Sequence, residues 1–203
     1  MQLENAIKAR RMCRAFTTEP LEEGLLSSLL DLARRVPSAG YSQGFHFLVL
    51  EGPTQTSRFW DVTLPPNERS TFPYPLLLQA PVIVLPLADP AAYVLRYSQP
   101  DKASTGLGEG VDRWPVPFWW GDTAMAVQNL LLGCTGAGLG ALYFGIFRNE
   151  ERLLADLNVP EGIRPLGAVA IGHPERGALD QRGGSPRVRA RRTLDDIVHR
   201  NGW

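Results

Sequence analysis

The sequence predicts a single domain of the α+β class, residues 1–203, on three observations. The 203 residues are 44% hydrophobic and 21% charged, the size and balance of one globular domain with its own core. Short β-rich runs occur together with longer segments of helical periodicity. No internal repeat or linker divides the chain. Such a mixture is typical of helices packed against a sheet.

The first 52 residues predict two helices and a strand. Apolar residues at helical spacing from Leu3 predict a short helix that ends at the basic run RRMCR, residues 10–14. Thr18 begins a helix-start signal, and apolar residues on one face carry the second helix to Val36. The apolar, β-rich run FHFLVLE predicts a strand over residues 45–51.

The middle of the chain predicts a strand, an irregular excursion and an apolar helix. The strand covers residues 82–87. Residues 101–120 are rich in Gly, Pro and Trp, which predicts a long loop of the kind that commonly carries function. Asp122 is predicted to cap the apolar helix, which ends at Cys134 before GAGLG.

The last third predicts two strands, a helix and a tail. The strands cover residues 139–147 and 167–172, and a helix capped by Asn149 covers residues 150–157. Residues 175–203 lack periodic apolar positions until near their end, so we expect an extended tail that needs a surface to lie on.

Charge, cysteine content and hydropathy argue against a nucleic-acid-binding, disulfide-rich or membrane-spanning protein. Lys plus Arg and Asp plus Glu each total 21, so no overall field attracts nucleic acid or an anionic membrane. The two cysteines, Cys13 and Cys134, are too far apart for a CxxC motif and too few for a disulfide scaffold. No apolar run suits a signal peptide or a membrane span. We expect a complete, soluble, cytoplasmic chain.

Three familiar patterns fail on context. GYSQG at 40–44 matches the serine-hydrolase elbow, and Asp195 and His199 follow in suitable order, but here a helix enters the turn and a strand leaves it, the reverse of an elbow. GAGLGA at 136–141 follows a helix, whereas a dinucleotide fingerprint follows a strand. The three histidines have no partners at metal-ligand spacing, so no metal site is predicted.

Two arginine clusters and a polar turn predict a site for a phosphorylated ligand. Arg10, Arg11 and Arg14 form the first cluster, and the second lies between residues 182 and 192. The turn PSAGYSQ supplies small hydrogen-bonding groups. Fixed guanidinium groups suit the anionic end of such a ligand, and turn groups suit its body. The alternative is that both clusters are solvated surface.

In these segments the sequence resembles the FMN-dependent nitroreductase family along nearly its whole length. RRMCRAF resembles the family's RRSxRxF, and RVPSAGYSQGFHFLVL resembles APSxxNxQPWxFxVV. DTAMAVQNLLLGCTGAGLGALYFGIF resembles the central helix, its GLG stop and the next strand, and RARRTLDDIVHRNGW resembles the closing basic segment. Tyr41 stands where the family usually has Asn, and Gly44 and Phe45 stand where it usually has Pro and Trp.

The resemblance implies a fold, a cofactor and a set of site residues. The fold is a central mixed or antiparallel sheet flanked by helices, in an intertwined homodimer with FMN at each subunit interface and the tail, 175–203, packed on the partner. Arg10, Arg11 and Arg14 would hold the FMN phosphate, ribityl chain and pyrimidine edge, with Arg189 or Arg191 joining at the phosphate. The flavin would also be contacted by the partner's turn, Ser38, Ala39, Tyr41 and Gln43, and by Phe144, Gly145 and Ile146 beside its N5 and O4.

The implied function is hydride transfer from NAD(P)H through flavin N5 to a small oxidised acceptor, a nitroaromatic, quinone or enone, in a ping-pong cycle. Because the flavin carries the chemistry, no catalytic side chain is predicted. Tyr41, Phe118, Trp119 and Trp120 are candidates for the acceptor pocket; the alternative is that these aromatics are core or interface anchors. Two alternative functions remain: a specialised flavin enzyme of the same fold that carries out dehalogenation or metabolite tailoring, and a non-catalytic protein that binds a phosphorylated ligand.

Overall fold

The computed structural model describes residues 1–179 and 188–203, and these residues form six α-helices and one five-stranded sheet. The helices are α1 Leu3–Ala9, α2 Leu25–Ala33, α3 Pro53–Thr63, α4 Pro90–Tyr97, α5 Phe118–Gly136 and α6 Glu150–Asp156. The strands are β1 Phe45–Glu51, β2 Val82–Ala88, β3 Gly140–Phe144, β4 Arg164–Pro165 and β5 Ala168–Gly172. None of the helices in these ranges combines the length and hydropathy needed to cross a bilayer.

The sheet is antiparallel and has helices on both faces. Its main path runs β1-β2-β5-β3, and the two-residue β4 pairs with the end of β2. All seven residues of β2 are buried. Ile83 and Leu85 pack into one core, whereas Val82 and Val84 pack into another, as the two-residue period of a strand dictates. This confirms the predicted α+β sheet flanked by helices.

Strand register brings two loops to the same end of the sheet but to opposite edges. Phe45, the first residue of β1, pairs with Ala88, and Phe144, the last residue of β3, pairs with Ala168. Strands β2 and β5 lie between β1 and β3. The three spacings of about 4.8 Å between neighbouring strands therefore put β1 and β3 about 14 Å apart. The turn before β1 and the segment after β3 are therefore apart within one protomer.

The N-terminal segment runs along β3 and positions the first arginines. Met12 forms a parallel bridge with Ala141, and the Cys13 N–H donates to the Ala141 carbonyl at 2.9 Å. Gly140 permits this approach, because a Cβ there would lie 2.8 Å from Cys13 Sγ. The glycine-rich GAGLGA thus serves helix termination and close packing, as the sequence context indicated.

Several predicted boundaries were wrong. Helix α2 starts at Leu25, after Gly24 takes a left-handed φ of 77°, and not at the Thr18 signal. Helix α5 begins four residues before Asp122, so Asp122 lies inside the helix and is not its cap. Asn149 is the N-cap residue of α6, as predicted, but its side chain makes no cap bond and donates instead to the Val62 carbonyl at 2.8 Å.

Other segments differ in extent or were not predicted. Strand β3 ends at Phe144, short of residue 147. Helices α3 and α4 had no counterpart in the sequence prediction. The excursion after α4 contains only 3₁₀ turns between Ala103 and Arg113, which confirms its irregular character there. Its predicted end at residue 120 was wrong, because Phe118, Trp119 and Trp120 form the first turn of α5.

Candidate functional site

A cavity of about 490 Å³ opens beside the end of β3, and it unites two of the predicted site segments. Arg14 comes from the N-terminal segment, whereas Phe144, Gly145 and Ile146 end and follow β3. The remaining lining comes from α3, from residues 64–77, from Leu142 and Tyr143 of β3, and from the loop to α6. The volume lies within the range of small-molecule sites.

Aromatic rings form one wall of this cavity. The Phe144 ring is stacked on Trp60 with centroids 5.8 Å apart and planes 4° from parallel, and Phe59 meets Phe144 edge-on at 5.9 Å. Trp60 is only 6% exposed and Phe59 1%. These two buried rings hold the partly exposed Phe144 ring in place, and Phe144 offers a flat apolar surface that suits a planar ligand.

Arg14 brings an uncompensated positive charge to the cavity. Its guanidinium lies over the Tyr74 ring at 5.5 Å, and its Nη1 donates to the Met12 carbonyl at 3.4 Å. No carboxylate pairs with Arg14 in the part of the chain that the structure describes. The cation is therefore free to pair with an anionic ligand group.

Arg10 and Arg11, its neighbours in the first cluster, do not line the cavity. Arg10 Nη1 is buried and has no hydrogen-bond partner among residues 1–179 and 188–203. Leaving a buried donor unpaired costs about 1–3 kcal/mol, so a hydrogen-bond acceptor from outside the described residues would stabilise the protein at this atom. Arg11 is exposed, and its Nη1 donates to three carbonyls at the end of α1, at 2.8 to 3.1 Å, which stabilises the helix terminus.

The polar turn lies at the opposite edge of the sheet from the cavity, and none of its residues lines that cavity. Ser38 Oγ accepts a hydrogen bond from the Gln43 N–H at 2.9 Å, which closes the turn. The Ala39 N–H donates to Asp122 at 3.0 Å. Tyr41 and Gln43 adopt left-handed φ values of 58° and 51°, and the Tyr41 side chain is exposed.

This geometry contradicts the serine-hydrolase alternative. The Ser42 hydroxyl donates to the Ala39 carbonyl at 2.6 Å, and the turn joins α2 to β1, not a strand to a helix. His199 is stacked on Trp203 with centroids 4.1 Å apart. Among the described hydrogen bonds, none joins Ser42 to His199 or His199 to Asp195.

The three consecutive aromatics at the start of α5 differ in exposure. Phe118 is 44% exposed, Trp120 is half-buried and Trp119 is 8% exposed. Trp119 packs against Tyr93 and Trp114 at centroid distances of 6.0 and 5.9 Å. Trp119 therefore packs inside the protein, while the Phe118 ring is exposed on the surface at the start of α5.

The described part of the tail, residues 188–203, is exposed throughout. Arg189 and Arg191 lie in it and do not line the cavity. Its apolar side chains are uncovered as well: Leu194 is 73% exposed and Trp203 fully exposed. Arg182 and Arg187 of the predicted cluster lie outside the described residues.

Sequence reasoning missed several residues that shape these two regions. Trp60 and Tyr74 lie in segments with no predicted element, and Tyr93 lies in the unpredicted α4. Asp122 was noted only as a helix cap. A carboxylate in a nearly all-apolar helix, followed by Thr and Ala, was a signal of a buried polar contact that could have been used.

Comparison with protein families gives one match that covers most of the chain. The sequence profile of the Nitroreductase family matches residues 7–173. An Archaeoglobus fulgidus protein assigned as an NADH dehydrogenase/NAD(P)H nitroreductase is 25% identical over 172 residues, which cover 83% of each chain. An NADPH-dependent oxidoreductase of Staphylococcus epidermidis is 24% identical over 184 residues, covering 90% of this chain and 67% of that protein.

Solved structures share the fold at low identity. A nitroreductase-like protein of Exiguobacterium sibiricum 255-15, solved in complex with FMN, superposes with a TM-score of 0.76 at 16% identity, covering 98% of this chain and 97% of that one. A nitroreductase family protein of Clostridium difficile 630 gives a TM-score of 0.70 at 18% identity, with both chains fully covered. At such identities the similarity establishes the fold.

Proposed function

The chain belongs to the nitroreductase family, and on this premise we propose that it is an FMN-dependent oxidoreductase that passes hydride from NAD(P)H to a small oxidised acceptor. The observation that carries the proposal is the cavity in which Arg14 meets Phe144, Gly145 and Ile146. A nitroaromatic, a quinone or an enone would serve as acceptor. The FMN complex of the E. sibiricum protein and the nicotinamide donors in the names of the relatives support this choice of cofactors.

The residues present fit FMN. The stacked Phe144 and Trp60 rings suit a planar ring system, and the unpaired Arg14 cation suits an anionic or electron-rich edge. Arg10 Nη1, a buried donor without a partner among the described residues, suits a phosphate oxygen. When bound, FMN supplies the hydride-transfer chemistry, so the side chains have only to bind and orient it and exclude water.

We include the homodimer in this proposal. The turn Ser38–Gln43 lies about 14 Å from the cavity-bearing edge of its own sheet, so in this arrangement it serves the cavity of a partner subunit. The tail, 175–203, would pack on that partner, which would cover the exposed apolar side chains of its described part, residues 188–203. The same placement would bring Arg189 or Arg191 to the phosphate, to which Arg10 would also donate.

The acceptor site would lie between Tyr41 of the turn and the aromatic residues 118–120 at the start of α5, all of them from the partner subunit. Tyr41 is 72% exposed and Phe118 44%, so both rings are available to a planar acceptor, with Trp120 beside them and Trp119 behind. One such stacked ring adds about 1 kcal/mol beyond burial of area. The two cysteines are free and buried, which agrees with a reducing, cytoplasmic setting for the enzyme.

The visible spectrum of the purified protein tests the proposal. We expect bound flavin, or flavin taken up on reconstitution with FMN, that NADH or NADPH bleaches under anaerobic conditions and that a quinone or nitroaromatic reoxidises in stopped flow. Colourless protein that FMN does not reconstitute would overturn the proposal in favour of a non-catalytic binder. Bleaching without reoxidation by any of these acceptors would favour a specialised reaction in the same fold, such as dehalogenation or metabolite tailoring.

A further inference from the structure

The turn at residues 38–44 holds an unusual concentration of left-handed backbone. Gly40, Tyr41 and Gln43 have φ values of 59°, 58° and 51°. Two of the three are not glycine, and such conformations persist only where the surroundings impose them. Helices α4 and α5 contact this turn at Ala39, Gly40 and Gly44.

Helix α4 grips the turn at both of its glycines. Arg96 Nε donates to the Gly40 carbonyl at 2.8 Å, and a two-pronged pair with Asp101, at 2.8 and 2.7 Å, fixes the Arg96 fork. The Tyr97 ring lies against Gly40, 2.6 Å from where a Cβ would stand. The Tyr93 ring packs equally closely on Gly44, where a Cβ would lie 2.4 Å from the ring.

Asp122 ties the turn to α5 through a single oxygen. Its Oδ2 accepts from the Tyr93 hydroxyl at 2.7 Å and from the Ala39 N–H at 3.0 Å. Asp122 is 3% exposed, and no cation pairs with it within residues 1–179 and 188–203. Burying a carboxylate without a cation is unfavourable, and the two hydrogen bonds that Asp122 accepts offset this cost. Burial and this bond raise the pKa of Tyr93, which keeps its hydroxyl a donor.

We propose that Tyr93, Arg96 and Asp122 are positioning residues that hold the turn 38–44 in the shape in which it meets the flavin of the partner subunit. This inference rests on the proposed function. In it, α4 and α5 of one subunit set the environment of the flavin bound mainly by the other. Tyr41, held in a left-handed conformation with its side chain exposed, is the group that this clamp presents.

The clamp also accounts for two departures from the family motif. Gly44, where the family usually has Pro, is the residue that leaves room for the buried Tyr93 ring. Tyr41, where the family usually has Asn, takes a conformation that Asn tolerates more readily than Tyr does. The Arg96 hydrogen bond to the adjacent Gly40 carbonyl helps to hold Tyr41 in that conformation.

Variants at Asp122 and Tyr93 test the proposal. Asp122→Ala removes the acceptor, Asp122→Asn keeps an oxygen that accepts both hydrogen bonds, and Tyr93→Phe removes the hydroxyl alone. The measurements are amide hydrogen exchange of the peptide containing residues 38–44 in the FMN-free protein and the Kd for FMN. For Asp122→Ala we expect faster exchange in that peptide and a Kd raised about tenfold, the equivalent of one lost hydrogen bond. Asp122→Asn should restore both, and Tyr93→Phe should fall between.

A matched control separates positioning from loss of stability. Leu153→Ala opens a hole in the core beneath α6, away from the turn, so it should lower the Tm without changing exchange at 38–44. If Asp122→Ala does not fold, Tyr93→Phe and Arg96→Leu should still show faster exchange at 38–44 and a higher Kd for FMN than wild type. Wild-type protein that binds FMN, with unchanged exchange or unchanged Kd in the folded variants, would overturn the clamp and leave the proposed function standing. Wild-type protein that binds no FMN would overturn both.

Discussion

Trp60 and Phe144 lie almost parallel, with ring planes 4° apart and centroids separated by 5.8 Å. Trp60 belongs to α3, and Phe144 is the last residue of β3, so this contact joins the helix on one face of the sheet to the segment that opens the cavity. The orientation of Phe144, and with it the flat wall of the cavity, therefore depends on a residue far away in sequence.

Replacing Trp60 by alanine should damage both stability and cofactor binding. Removal of this 6% exposed ring should lower the free energy of unfolding by about 3–5 kcal/mol, measured by urea titration. The Phe144 ring would lose its stacking partner, so the Kd for FMN should rise as well. Trp60→Phe keeps a ring and should retain most of the affinity. An alanine variant with unchanged affinity would show that this wall does not contact the cofactor.

The Arg14 and Tyr74 pair gives a second prediction. Arg14→Leu should raise the Kd for FMN by about tenfold to a hundredfold, because charge-assisted hydrogen bonds contribute about 1.5–3 kcal/mol. Tyr74→Phe keeps the ring beneath the guanidinium and should leave affinity unchanged, whereas Tyr74→Leu should weaken it. Equal Kd values in Arg14→Leu and wild type, from fluorescence titration, would remove Arg14 from the site.

Much of the fold was predictable because its central elements bury strongly periodic residues. Strand β2 is buried along its whole length, and its run of Val, Ile and Leu predicted it almost residue for residue. Helix α3 was missed because its first half, PTQTSR, is polar and its buried residues, such as Phe59 and Trp60, crowd into the second half. A tertiary contact with β3, and not a local pattern, gives those rings their place.

The site was predictable only where a motif carried it. Resemblance to the family placed Arg14 and Phe144 together, and the cavity contains both. The supporting residues Tyr93 and Asp122 act through contacts 29 positions apart in the chain, which no local pattern encodes. The roles of Arg189 and Arg191 depend on a second subunit, so a single protomer leaves them as predictions.

Those two tail arginines should prove unequal. Arg189→Ala and Arg191→Ala each remove one exposed cation, and the variant that loses the phosphate contact should raise the Kd for FMN about tenfold or more. The affinity of that variant should also depend less on salt, since an ion pair to phosphate is screened. Riboflavin, which lacks the phosphate, serves as the control ligand, and its binding should be unaffected. Two variants with wild-type affinity would place the tail elsewhere.

Two glycine-to-alanine substitutions should have opposite effects on stability. A Cβ at Gly44 would stand 2.4 Å from the Tyr93 ring and 2.7 Å from the Asp89 carbonyl, so Gly44→Ala should destabilise the protein by about 1–3 kcal/mol. At Gly121, inside α5, a Cβ meets no atom within 4 Å, and alanine should stabilise the helix by up to about 1 kcal/mol. Thermal unfolding of both variants checks this, and a neutral Gly44→Ala would contradict the packing of Tyr93 on the turn.

The buried thiols should make stability fall at alkaline pH. Burial raises the pKa of Cys134 from 9.0 to about 12, so the unfolded chain loses this proton before the folded chain does. The protonated Cys134 thiol therefore contributes its full stabilisation below pH 9.0. As the pH rises toward 12, the free energy of unfolding falls by up to about 1.4 kcal/mol per pH unit. Urea titrations of wild type and Cys134→Ala between pH 8 and pH 11 should diverge above pH 9.0. Parallel curves would mean that Cys134 ionises freely in the folded protein, and they would contradict its burial between α5 and the sheet.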